Sequence, residues 1–161
     1  MVRDAVRTGL EAGLLIALLG LIVWATGQPF IFPSLGPTAF ALALRTPEQT
    51  TARRVIGGHG CGVVVGLFVY NSLAEGLAIT AEHVPFSTDG LWLSASAALS
   101  VAGTAAAMLL TRTSHAPACA TTLIIALGLL PDVSDGAIIL LAVTLLFAAH
   151  RAVLRLDRRI A

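Results

Sequence analysis

The chain has 161 residues, of which 57% are hydrophobic and only 12% charged, and its mean hydropathy is +0.88. A soluble domain of this length carries about twice that share of charge, so the composition places the chain in a bilayer. The net charge is +1, every basic residue is an arginine, and no basic cluster interleaved with aromatics points to nucleic acid.

The first apolar run, residues 8–25, follows Arg3 and Arg7 in the manner of a secretory signal. It lacks a small-residue cleavage site and further runs follow, so it reads as a retained first helix. Glu11 stands one helical turn after Arg7 and is placed to pair with it. A shorter apolar segment comes next, 37–44 with an approach from Pro29. Then follow a long run at 55–79, another at 91–111, a second short segment at 117–130 and a last long run at 136–154. Each long run is near the roughly 20 residues that cross a bilayer. A helix of about 15 residues reaches only about 22 Å. The short segments therefore either re-enter, giving four spans, or cross with an extended lead-in, giving six.

The arginines arbitrate. With the N-terminus inside and six crossings, Arg3, Arg7, Arg45, Arg53, Arg54, Arg112, Arg151, Arg155, Arg158 and Arg159 all fall on one side. Glu75, Glu82, Asp89, Asp132 and Asp135 fall on the other. The positive-inside rule then favours six spans in the cell membrane with both termini cytoplasmic. The expected fold is an all-α membrane protein of one domain. It has four long transmembrane helices and two short proline-initiated broken helices, forming an inverted repeat of three-segment halves at about 1–80 and 81–161. Residues 74–90 link the halves, with Pro85 and Gly90 as breakers.

The two short segments match in position. Ser34 and Ser114 are 80 residues apart, and so are Pro37 and Pro117. Interrupted segments at corresponding places in two halves point to a transport site. Proline favours the first helical position and biases the residue before it towards extended backbone. Helices are expected to begin near Pro37 and Pro117, after extended lead-ins that include Gly36 and Ala116. Two opposed N-termini meeting near the bilayer midplane present free N–H groups and partial positive charge to a small anion. The candidate donors are the backbone N–H groups of Thr38, Ala39, Ala118 and Cys119, with hydroxyls from Ser34, Thr38, Ser114, Thr121 and Thr122, and Gly36 at the turn.

His115 precedes the second short helix and His59 lies in Gly57-Gly58-His59-Gly60, early in the third run. Ionisable groups in apolar context are functional candidates, here for pH dependence or a coupled proton. His83 and His150 read as ordinary residues near membrane boundaries. Ser94, Ser96, Ser100 and Thr104 read as helix-packing residues, as do Gly62 and Gly66 in a small-xxx-small pair. Cys61 and Cys119 sit in apolar runs and read as small buried residues, forming neither a disulfide nor a metal site. No nucleophile–base or metal-ligand pattern supports an enzyme. Cys119 with His115 is the nearest approach to one.

Pro33-Ser34-Leu35-Gly36-Pro37-Thr38-Ala39, then Arg54-Val55-Ile56-Gly57-Gly58-His59, then His115-Ala116-Pro117-Ala118-Cys119-Ala120-Thr121 occur in that order. The trio resembles the HPP family of small integral membrane proteins, from about Trp24 to Phe147. The resemblance implies four transmembrane helices and a His-Pro-Pro motif, and some members are associated with nitrite transport. Here Ala116 replaces the first proline, and Cys119 stands where glycine is expected. The expectation is a transporter or channel for a small monovalent, nitrite-like anion, needing no cofactor, with the lipid bilayer as its surroundings. A chain this small is expected to assemble as a homo-oligomer, a dimer or trimer. The alternative is a non-transporting membrane sensor or assembly module.

Overall fold

The computed structural model of the chain describes residues 1–46, 50–82 and 84–160, the side chains of 158–160 excepted. His83 therefore lies outside the described residues. Four of the apolar runs become helices long and apolar enough to cross a membrane: α1 (Val2–Thr26), α3 (Ala52–Leu73), α4 (Thr88–Thr111) and α6 (Val133–Ile160). The two short segments become α2 (Ile31–Ala43) and α5 (Ala118–Ala126). Local chemistry sets several ends. Gly27, with φ of 71°, closes α1 in the left-handed region. The Thr51 and Ser87 hydroxyls accept from the N–H groups of Arg54 and Gly90 and cap α3 and α4.

The second short helix begins where the sequence places it, with Pro117 as its N-cap. The first does not. α2 already runs from Ile31, and Pro37 lies inside it. Turns in which Ile31 and Phe32 donate to the carbonyls of Gln28 and Pro29 start the helix, so Pro29 opens it. Both pre-proline residues, Phe32 and Gly36, are nonetheless helical; Gly36, lacking Cβ, is spared one of the two clashes that disfavour this. Pro37 has no N–H for the Pro33 carbonyl one turn earlier.

Hydrogen bonds at the helix ends trace the path. At one end Arg45, after α2, reaches Glu11 of α1 and Asp157 of α6. Arg53 of α3 donates to the carbonyl of Thr111, which closes α4. At the other end Gln28, between α1 and α2, donates to Asp135 of α6. The N–H of Ile79, after α3, donates to the carbonyl of Leu127, after α5. The chain thus passes back and forth between two ends of the bundle, α2 and α5 included. The principal packing pairs also survive exchange of α1–α3 for α4–α6. α1 against α2 becomes α4 against α5, α3 against α5 becomes α6 against α2, and α3 against α4 becomes α6 against α1. The pairs α2 with α5 and α3 with α6 map onto themselves.

The apolar core joins Leu15 and Leu19 of α1, Leu35 and Leu42 of α2, Ile125 of α5 and Leu146 of α6, among others. Between α3 and α5 the backbones come close. A Cβ added at Gly62 would lie 2.8 Å from Thr122 Oγ1 and 3.0 Å from the Ala118 carbonyl oxygen. One added at Gly58 would lie 2.8 Å from His115 Cβ, and one at Gly66 3.2 Å from Ile125. This glycine stripe lets the short helix sit directly against α3.

Candidate functional site

Where α2, α3 and α5 meet, the interior turns polar. Ser34, Thr38, His59 and Thr121 are fully buried and His115 is nearly so. They form one continuous chain. Ser34 Oγ lies 2.8 Å from Thr121 Oγ1, and Thr121 Oγ1 lies 2.7 Å from His59 Nδ1. His59 Nε2 is 2.8 Å from Thr38 Oγ1, which is 3.3 Å from His115 Nε2. The two imidazole rings are 5.4 Å apart between centroids. Each position has a local cause. Ser34 and Thr38 are four residues apart on one face of α2, and the glycines around His59 let His115 and α5 approach it.

Every hydroxyl and every neutral imidazole can both donate and accept. The chain therefore has two polarities in which every bond runs the same way. In one, Ser34 donates to Thr121, Thr121 to His59, His59 to Thr38 and Thr38 to His115. In the other every bond is reversed. Reversal leaves the number of protons unchanged and shifts the hydrogen of His59 between its two ring nitrogens. It also decides which ring nitrogen of His115 carries hydrogen. At 3.3 Å the link to His115 is the longest of the set.

His115 also lines a cavity of about 470 Å³, together with Arg54, Met108, Ser114, Pro117 and Cys119. Arg54 is half-buried and has no ion-pair partner among the described residues. Ser114 is exposed and Cys119 half-buried. The cavity joins the arginine-bearing end of the bundle to the last member of the buried chain.

The remaining candidates lie elsewhere. Thr122 pairs with Thr104 of α4 at 3.0 Å and also donates to the Ala118 carbonyl. Ala39 belongs to the apolar core. Gly36 faces α1, where an added Cβ would lie 3.9 Å from Ile16. The expected backbone donors are not free. The N–H groups of Thr38 and Ala39 lie inside α2, because that helix starts a full two turns earlier. Those of Ala118 and Cys119 donate to the carbonyls of His115 and Ala116. What converges here is a set of side chains, not a pair of bare helix ends.

Glu11 does not pair with Arg7. Its carboxylate, 4% exposed, accepts from Arg45 Nε at 2.6 Å and lies 2.7 Å from Nδ1 of His150, which is fully buried. Burial opposes the charge on Arg45, and its hydrogen bonds to Asp157 and Glu11 more than offset this, so its pKa is raised. His150 is thus a buried member of a charged cluster rather than a boundary residue. Sequence reasoning passed over this cluster and Arg54. The signal was present, because Glu11 and His150 are ionisable groups within apolar runs and Arg54 opens one.

A family model described as HPP, transmembrane region, matches residues 1–158. The chain belongs to the HPP family. It is a multi-pass membrane protein of that family, all-helical, with four long apolar spans. No curated protein and no solved structure is matched by the chain. In this HPP-family protein the family-like motifs converge. Ser34, Thr38, His59, His115 and Thr121 come from its three segments and make the buried chain, and Arg54 stands in the adjoining cavity.

Proposed function

We propose that this HPP-family protein passes a small monovalent anion, nitrite-like, across the cell membrane, with both termini cytoplasmic. The observation that carries the reading is the buried chain Ser34–Thr121–His59–Thr38–His115, ending at a cavity lined by Arg54, which has no ion-pair partner among the described residues. Polar groups at this depth are costly in a membrane unless function retains them. Arg54 supplies the positive charge that draws an anion into the cavity. With Thr38 donating, His115 holds its proton on Nδ1 and offers the anion a donor there. Passage between the two ends by six crossings, in halves related as an inverted repeat, is supported by the alternating path and the exchangeable packing pairs. The name nitrite rests on family association; the single arginine lining the cavity suits a monovalent anion.

The test is influx of nitrite, nitrate, formate and chloride into proteoliposomes holding this protein alone. Nitrite flux well above protein-free vesicles is expected, and Arg54→Gln should lower it about tenfold. A charged hydrogen bond is worth about 1.5–3 kcal/mol, which sets that scale. A second reading has its own support. Each member of the buried chain is partnered by another member, as in a structural lock of a non-transporting sensor or assembly module. Absence of flux for all four anions, with the protein folded in the vesicles, decides for that reading.

A further inference from the structure

Along the outside of the bundle a groove of about 480 Å³ runs between α1 and α6. Leu14, Leu18 and Leu21 form one wall and Ala149, Val153 and Leu156 the other, and every lining residue is leucine, alanine or valine. Leu14 and Val153 also line a second cavity of about 380 Å³, where the walls change character to Arg3, Arg7, Arg45, Glu11 and Asp157. The two form one depression, apolar along the helices and charged at the end of the bundle. Its charges divide cleanly. Arg45 holds the carboxylates of both Glu11 and Asp157. Arg3 and Arg7, four residues apart on one face of α1, are exposed and have no ion-pair partner among the described residues.

We propose that this depression binds one anionic phospholipid, with an acyl chain in the groove and the phosphate against Arg3 and Arg7. The spacing suits it. At 1.5 Å per residue, Arg7 lies about 10 Å along α1 from Leu14, and the groove from Leu14 to Leu21 extends about 10 Å more. The first distance takes a headgroup and glycerol, and the second takes about eight methylenes. A basic pocket between transmembrane helices at the membrane surface is suited to an anionic headgroup. A free phosphate would use the arginines and leave the groove empty. A second copy of the chain would cover the groove and gain nothing from the arginines. The site stands independently of the transport reading, because it lies on the outer face of α1 and α6 and shares no residue with the buried chain.

The experiment is native mass spectrometry of the full chain in mild detergent, with equal amounts of phosphatidylglycerol and phosphatidylcholine of identical acyl chains. Phosphatidylglycerol should be retained at least about tenfold over phosphatidylcholine, since each arginine near an anionic headgroup contributes about fivefold. The double variant Arg3→Gln, Arg7→Gln should bring the ratio close to one. Both positions are exposed in the first turns of α1, and circular dichroism checks that helix content is kept. Ala152→Trp should fill the groove and reduce both lipids, with added inorganic phosphate displacing neither in the wild type. Equal retention of the two lipids by the wild type overturns the proposal, as does an unchanged preference in the arginine variant. Displacement by inorganic phosphate would leave only an anion site. A wild-type dimer that Ala152→Trp converts to monomer would assign the groove to a second copy and overturn it too.

Discussion

Thr38 Oγ1 serves two imidazoles at once, 2.8 Å from His59 and 3.3 Å from His115. Thr38→Val keeps the shape and leaves both ring nitrogens short of a partner inside the bundle. Unpaired buried groups cost about 1–3 kcal/mol each, so thermal unfolding in detergent should show a clear loss of stability. Under the transport reading, flux should fall about tenfold beyond any loss of folded protein. Ala39→Ser, on the next residue but in the apolar core, should leave the His59 environment unchanged by NMR of labelled histidine. The charged cluster makes a sharper contrast. Glu11 is buried, with Arg45 and His150 both bonded to it, so Glu11→Gln should destabilise by about 3 kcal/mol. Asp157 binds the same arginine but is 45% exposed, and Asp157→Asn should cost less than about 1 kcal/mol. Equal shifts in melting temperature for the two variants would mean that burial does not set the strength of this cluster.

At the scale of elements, the distance between α3 and α5 positions the site. Gly62→Ala puts a methyl 2.8 Å from Thr122 Oγ1 and 3.0 Å from a backbone carbonyl that cannot rotate away. The helices must part, at a cost of about 1–3 kcal/mol. Gly60→Ala meets nothing within 4 Å and should be neutral or slightly stabilising, because alanine favours helix. Comparing the two melting temperatures checks the stripe, and equal values would remove it as the determinant of helix spacing. The end of α5 is held similarly. Gly128 has φ of 71°, and an added Cβ would collide with the Leu77 carbonyl oxygen, so Gly128→Ala should prevent the turn from docking on the loop after α3. α2 shows where local rules give way. Pro37 predicts a late start, yet the helix opens at the Gln28–Pro29 turn and runs through Pro37. As a result its N-terminal N–H groups lie far from Thr38.

For the whole molecule, the question is how many times the chain crosses. With Cys61 and Cys119 replaced by alanine, a cysteine at Thr46 should react with an impermeant reagent from one side and a cysteine at Asp132 from the other. Both positions are exposed, in the connections after α2 and after α5. Reaction of both from the same side would mean that the short helices re-enter, leaving four crossings. Membrane residence, helical class, the four long spans and the two short proline-bearing helices between them were legible from composition and apolar run length, because the bilayer imposes both through desolvation of the backbone. Ser34, Thr38, His59, His115 and Thr121 could be named from motif and polarity, since a polar group in an apolar run has few reasons to persist. Only the tertiary structure decided that these side chains bond to one another, that Arg54 faces a cavity beside His115, and that Glu11 reaches Arg45 and His150 instead of Arg7. The reason is one of range. Hydropathy acts on each segment alone, whereas hydrogen bonds between groups 21 to 139 residues apart depend on how closely helices pack, which glycines such as Gly58 and Gly62 control.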